Sequence, residues 1–283
     1  MAEFCLYTPQ VFSIRTYKEM VDYAADHGIR KLETLNILDL SSPNLETAKE
    51  LKDYADSKGI SFPCVSVGIS LVDDDRAEKI EEVKRYADIA KILGSPYLHH
   101  TIALNFSEPQ FIADNFDLFY QRGLEAVREI FDYAATLGIR TVYEDQGFLF
   151  NGRKTFSRFL SEVDRNVGVV ADFGNIKFVD EDVEDFIPAF SDRIVHVHVK
   201  DYLVTPGGGR NPEPDEYTSR GGNYLRGCLI GSGSVNTGAA FAALRAIGYR
   251  GMLALEGDPI GPDEEASFRN NLQTVTRYIE TYL

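Results

Sequence analysis

Along the chain one phrase returns: an amphipathic stretch with helical spacing, a glycine, then a short apolar run that ends on a polar residue. It reads DHGIRKLET, SKGISFPCV, ILGSPYLHH, TLGIRTVYED and GYRGMLALEG. Glycine just past a helix accepts the left-handed conformation that closes the last turn, and the β-branched or bulky residues behind it favour extended chain. The pattern predicts eight strands, near residues 3–7, 30–35, 61–67, 96–101, 139–144, 167–172, 193–199 and 251–256, with helices between most of them. Eight strands alternating with helices close most naturally as a parallel (β/α)8 TIM barrel, an α/β fold that accommodates residues 1–283 as a single domain.

The long helices are the clearest. Between Asp73 and Leu93, the residues Ile80, Val83, Ala87 and Ala90 recur at three- and four-residue steps and form an apolar stripe that would face the sheet. Residues 111–137 form a second long helical stretch, interrupted by Gly123, and 264–281 close the barrel. One region breaks the rhythm. Residues 201–234 carry PGGGR, NPEPDEY and SRGGNYLRG, and are expected to be a lid or long loop at the strand ends where barrel active sites are built.

Charge narrows the partners. A formal net charge of -15 repels polyphosphate and anionic membrane surfaces, which disfavours nucleic acid and membrane as partners. There is no apolar run of transmembrane length, and MAEFCLYTPQ lacks a basic stretch followed by an apolar one, so a cytoplasmic protein that is not exported is expected. Cys5, Cys64 and Cys228 are scattered and odd in number, which fits buried reduced thiols better than a disulfide framework. A homo-oligomer is compatible with the sequence, but no exposed apolar stripe marks an interface.

Strand alternation then sorts the polar residues. In IVHVHVKD it turns Val195, Val197 and Val199 toward the helices and His196, His198 and Lys200 toward the barrel interior. By the same rule Glu144 shares a face with Val142, Asp172 with Val170, and Glu256 with Ala254, each carboxylate ending an otherwise apolar strand. Four consecutive strands thus offer Glu144, Asp172, His198 and Glu256 at one end of the barrel, a costly concentration of polar groups unless something binds them. One divalent cation would balance the charge. Three oxygen donors and one nitrogen suit Mn²⁺, Mg²⁺ or Co²⁺ at least as well as Zn²⁺. The bland alternative is that each polar residue merely caps its strand.

The order VYEDQG, ADFGN, HVHVKD and LALEGD, together with LIGSGSVN, resembles the xylose isomerase-like barrels of the sugar phosphate isomerase/epimerase group, including tagatose and psicose 3-epimerases. The resemblance covers nearly the whole chain. It implies that Glu144, Asp172, His198 and Glu256 bind one divalent metal, Mn²⁺ first, and that Glu144 and Glu256 also serve as catalytic acid and base. A metal that chelates a carbonyl oxygen and the neighbouring hydroxyl would stabilise the enediolate left by proton abstraction, so a sugar isomerase or epimerase acting on a small carbohydrate is expected. Two departures bear on substrate orientation. Many of these epimerases have a histidine three residues after the strand-six aspartate, where this chain has Asn175, and an arginine that some members use on the sugar has no counterpart at Val204. Arg210, Arg220 or Arg226 on the lid are candidate replacements.

Further substrate-binding candidates carry plainer readings beside them. Glu33 ends KLET and His99 lies in YLHHT, where either could line the pocket or simply cap a strand. Asn175 can bond a hydroxyl. Lys200 could contact a carboxylate, phosphate or hydroxyl of the substrate, or pair with Asp201 or another carboxylate at the mouth. His196 reads as a core histidine one layer deeper, His100 as an outward residue bonded on the helix side, and His27 as a partner of a helix C-terminus. Three rival functions remain open: a hydrolytic multi-zinc endonuclease, disfavoured by only five histidines and the acidic charge; a dehydratase or other lyase of a cyclic polyol or keto acid, which also begins with proton removal beside a carbonyl; and a non-catalytic sugar-binding or partner subunit.

Overall fold

The strands of the computed structural model, which describes residues 3–7, 13–104, 109–257 and 260–283, are β1 (Glu3–Tyr7), β2 (Leu32–Glu33), β3 (Cys64–Val67), β4 (Tyr97–His100), β5 (Arg140–Glu144), β6 (Gly168–Asp172), β7 (Ile194–Val199), β8 (Tyr202–Thr205), β9 (Tyr217–Thr218), β10 (Tyr224–Gly227) and β11 (Met252–Leu255). The helices are α1 (Tyr17–Asp26), α2 (Leu45–Lys58), α3 (Arg76–Leu93), α4 (Pro109–Asp114), α5 (Phe116–Thr136), α6 (Arg153–Glu162), α7 (Val183–Ala189), α8 (Thr237–Ala246) and α9 (Glu264–Tyr282). Part of MAEFCLYTPQ, on which the expectation about export rests, lies outside the described residues.

Eight strands pair in parallel in the order β2-β1-β11-β7-β6-β5-β4-β3. Isolated parallel bridges Lys31–Ser61 and Thr34–Val65 join β2 to β3 and bring the sheet round to a nearly closed barrel. This is the α/β TIM barrel expected from the alternation. The α3 stripe of Ile80, Val83, Ala87 and Ala90 is buried, and Gly94 ends that helix at φ 73, where a side chain would be strained. No helix among the described residues is long and apolar enough to cross a membrane.

Two details of the barrel differ from what the sequence predicts. The break in the second long helical stretch falls at Asn115, between α4 and α5, rather than at Gly123, which lies inside α5. Gly123 is there for close packing: a Cβ would stand 2.6 Å from Ile102 Cγ2 and 2.7 Å from Phe150 Cζ. Val195 does not face the helices. The register between β6 and β7 shifts so that Val169 faces Ile194 and Val170 faces His196, and the extra residue, Val195, packs instead on Cys64, Val142 and Val170 in the barrel floor. Val197 and Val199 do join the core shared with the helices.

The 201–234 excursion is built rather than irregular, with an antiparallel sheet of order β8-β10-β9 inside it. Two carboxylates pin it. Asp180 accepts from Ser219 Oγ (2.7 Å), the Gly221 amide (2.6 Å) and Asn223 Nδ2 (2.8 Å). Asp201, directly after Lys200, accepts from the amides of Gly231 (3.0 Å), Gly233 (2.9 Å) and Val235 (3.0 Å). The HVHVKD and LIGSGSVN segments are therefore halves of one device that returns the excursion to the barrel.

Candidate metal centre

Parallel register carries four donors to one rim. Asp172, the last residue of β6, lies opposite His198 on β7, which in turn faces Ala254 on β11, two residues before Glu256; Glu144 ends β5. One donor atom from each of Glu144, Asp172, His198 and Glu256 can be chosen so that all lie within 4.8 Å of one another. His198 Nδ1 stands 3.0 Å from Glu256 Oε2, 3.1 Å from Glu144 Oε2 and 3.9 Å from Asp172 Oδ2. Asp172 is aimed by its other oxygen, Oδ1, which accepts from the amides of Gly174 (2.7 Å) and Asn175 (2.8 Å). That leaves Oδ2 wholly buried without a hydrogen bond. A buried carboxylate oxygen free of hydrogen bonds is costly alone and well suited to a cation.

The electrostatics describe a site short of positive charge. Burial pushes the Asp172 carboxyl up to about 7, with Lys200 opposing and Glu256 and Glu144 reinforcing the shift. Burial acts to raise Glu256 as well, but Lys200 and the His198 hydrogen bond outweigh it and hold the group at about 2. His198 would lose its proton to burial alone; Glu33 and hydrogen bonds to Glu144, Glu256 and Glu33 raise it well above the ordinary imidazole range. The imidazolium thus supplies part of the charge that these carboxylates lack. The described residues form a divalent metal-binding site, and the three carboxylates and one imidazole nitrogen fit a hard or borderline cation.

Lys200, Asn175 and His99 stand around the quartet, and Glu33 lies beneath it. Lys200 Nζ donates to Glu256 Oε1 at 2.5 Å and lies 3.5 Å from both Asp172 Oδ2 and Asn175 Oδ1. Of its two readings from sequence, pairing with a mouth carboxylate is the contact present. Asn175 is buried, and its carbonyl accepts from Asn151 Nδ2 at 2.8 Å. His99 Nδ1 bonds to Ser66 Oγ at 3.1 Å, and its Nε2 lies 3.7 Å from Glu144 Oε1. Glu33 is wholly enclosed, bonded to Ser66 Oγ, His196 Nε2 and His198 Nε2.

The remaining histidines take the plainer roles. His196 is buried on Glu33 one layer down; His100 bonds Tyr143 Oη at 2.8 Å, and that tyrosine's ring packs on Phe159 of α6. His27 meets the Tyr23 carbonyl near the end of α1, and also Glu265. The lid arginines are engaged elsewhere: Arg210 pairs with Glu216, Arg226 with Asp215 and Glu216, and Arg220 donates to the Phe148 carbonyl. Sequence reasoning missed Ser66, whose partners lie 33 residues away on either side, and Asp145, whose Oδ1 accepts from the Asp172 amide at 2.9 Å. A signal for Asp145 was present, since it follows Glu144 directly in VYEDQG.

Fold and rim together define a barrel of the metal-dependent kind, with donors drawn from four successive strands. The chain belongs to the xylose isomerase-like TIM barrel family, which matches residues 21–278. Among curated proteins, it is 28% identical over 173 residues to an inosose dehydratase of Lactiplantibacillus plantarum. That match covers 57% of this chain and 53% of the relative, so it spans about half the relative's length. Among solved structures, it superposes on an IOLI protein with a bound zinc atom at a TM-score of 0.77 and 18% identity, covering 99% of each chain. It superposes on 3-keto-D-glucoside 4-epimerase, YcjR, of E. coli at 0.76 and 17% identity, covering 98% of this chain and 100% of the other. Its fold is the one these solved structures share.

Proposed function

We propose that the protein is a divalent-metal-dependent isomerase or epimerase of a small carbohydrate, acting by proton abstraction beside a carbonyl. The observation that carries this reading is the convergence of Glu144, Asp172, His198 and Glu256, with Asp172 Oδ2 buried and free of hydrogen bonds. When bound, a divalent cation, Mn²⁺ in our reading, would supply the Lewis acidity that makes the proton on the carbon beside a carbonyl removable near neutral pH. Glu256, held ionised by the Lys200 ammonium 2.5 Å from its Oε1, is suited to take the proton. In this reading Glu144, which lies across His198 Nδ1 from Glu256, acts as its partner. Delivery of a proton by the second glutamate to the same carbon from the opposite face inverts it, leaving the abstracted proton on Glu256; delivery to the adjacent carbon of the enediolate moves the carbonyl. Asn175 and His99 offer groups to substrate hydroxyls, and Lys200 keeps the base charged.

A second reading has its own support. The partial sequence match to an inosose dehydratase favours a lyase, in which the same proton removal is followed by loss of an aligned hydroxyl. Both are tested by incubating the metal-loaded protein with ketoses, inososes and keto acids in heavy water and following exchange by NMR. Exchange with a new sugar supports the isomerase or epimerase, and exchange with loss of water supports the lyase. No exchange across the panel overturns both and leaves a sugar-binding subunit.

A further inference from the structure

Glu33 joins three side chains from two other strands at one wholly buried carboxylate: Ser66 Oγ at 2.5 Å, His196 Nε2 at 2.6 Å and His198 Nε2 at 3.2 Å. An ionised carboxylate only accepts hydrogen bonds, so each of these atoms donates to it. For His198 this fixes a proton on Nε2. Its other nitrogen, Nδ1, is the one that faces Glu144, Glu256 and Asp172. A cation held there displaces the Nδ1 proton and meets a ring whose opposite edge is already oriented, the arrangement by which a carboxylate behind a histidine tunes a metal.

The same logic reaches His99 through Ser66. A hydroxyl has one proton, and that of Ser66 goes to Glu33; toward His99 Nδ1, at 3.1 Å, Ser66 Oγ can only accept. His99 therefore carries a proton on Nδ1, and the neutral ring has its lone pair on Nε2. That atom is buried, has no hydrogen-bond partner among the described residues, and lies 3.7 Å from Glu144 Oε1, which as a carboxylate oxygen is also an acceptor. Two acceptors so close, shielded from bulk water, call for a donor between them.

We propose that Glu33 is a positioning residue that sets the tautomers of both imidazoles, directly for His198 and through Ser66 for His99, and that His99 Nε2 accepts a hydrogen bond from a substrate hydroxyl. The tautomer half stands on the metal centre alone; the hydroxyl half rests on the carbohydrate reading given above. Histidine-labelled ¹⁵N NMR of the protein loaded with diamagnetic Zn²⁺ tests it. His99 is expected as the Nδ1–H tautomer, and His198 with Nε2–H and its Nδ1 bound. Ser66→Ala should let His99 mix tautomers while leaving His198 as it is and the Zn²⁺ Kd within about threefold, because Glu33 still holds His198. Glu33→Gln should disturb both rings and weaken Zn²⁺ binding by about 10- to 100-fold, with the circular dichroism of the wild type. An Nε2–H His99 in the wild type, or an unchanged His99 signal in Ser66→Ala, overturns the tautomer half. Xylitol, titrated to its solubility limit, should shift the His99 Nε2 resonance toward a hydrogen-bonded position; no movement overturns the hydroxyl half. Failure of the proposed reaction would show in the deuterium-exchange panel and leave the tautomer signals untouched.

Discussion

Gly174 lies directly against Lys200: a Cβ at position 174 would stand 2.5 Å from Lys200 Cγ and 2.9 Å from its Cδ, with Tyr202 Cδ2 also at 2.9 Å. The glycine in ADFGN therefore gives the lysine stem its course to Glu256. Gly174→Ala should displace the ammonium without removing a charge. We expect turnover to fall by about 10- to 100-fold, since small misplacements at a reacting centre are amplified in rate. Thermal unfolding should register a loss of about 1–3 kcal/mol from the overpacked contact. Wild-type kinetics in the alanine variant would show that the lysine's course does not matter.

Lys200→Met separates charge from packing. Lys200 is the largest influence opposing burial at Glu256, and the carboxyl must be ionised to act as a base. Removing the ammonium raises the Glu256 pKa, so the acid limb of the pH–rate profile should move to higher pH and the plateau should fall by about 10²-fold. A variant whose acid limb stays in place would take Lys200 out of the control of Glu256.

The metal quartet was legible because alternation in short apolar strands is strict, and a polar residue at a strand's C-terminal end has one direction to face. Val195 escaped that rule because a register shift against β6 inserts one residue, and nothing local in IVHVHV marks where the partner strand slips. Glu33 could be placed at a strand end but not in its network, which joins Ser66 at a separation of 33 residues to His198 at 165. The sheet within the excursion was equally hidden: β9 has two residues, too few for a period, and glycines and prolines dominate the chain around it. The helix break was misplaced because composition singles out Gly123, whereas packing against Ile102 and Phe150 explains that glycine.

The excursion should loosen from one point. Asp180 has φ 59 and receives donors from Ser219, Gly221 and Asn223, so asparagine, which tolerates the left-handed region, isolates the charge from the backbone. Asp180→Asn should cost about 1–3 kcal/mol locally, because one carboxylate acceptor becomes an amide donor facing other donors. Amide hydrogen exchange at residues 219–223 should accelerate while β5 and β6 keep their protection. Unchanged exchange in that segment would mean that other contacts hold the excursion.

Metal affinity should depend on pH in a direction fixed by the metal-free site. Asp172 is pushed up to about 7, chiefly by burial, and His198 is raised well above its ordinary range because its carboxylate contacts outweigh burial. A cation needs both groups without their competing protons. Below pH about 7 binding therefore expels protons from both, and above it mainly from His198, so the apparent Kd should tighten as pH rises, about 100-fold per unit below that point and about 10-fold per unit above it. Folding stability runs the other way in the metal-free protein: a carboxyl with a raised native pKa contributes fully below the unfolded value, and that contribution is lost as pH climbs to about 7. Metal-free protein should thus lose stability toward neutral pH, and Mn²⁺ should restore it most at the alkaline end. Calorimetric titrations in buffers of differing ionisation enthalpy count the released protons, and a count of zero would mean that the cation binds somewhere other than at Asp172 and His198.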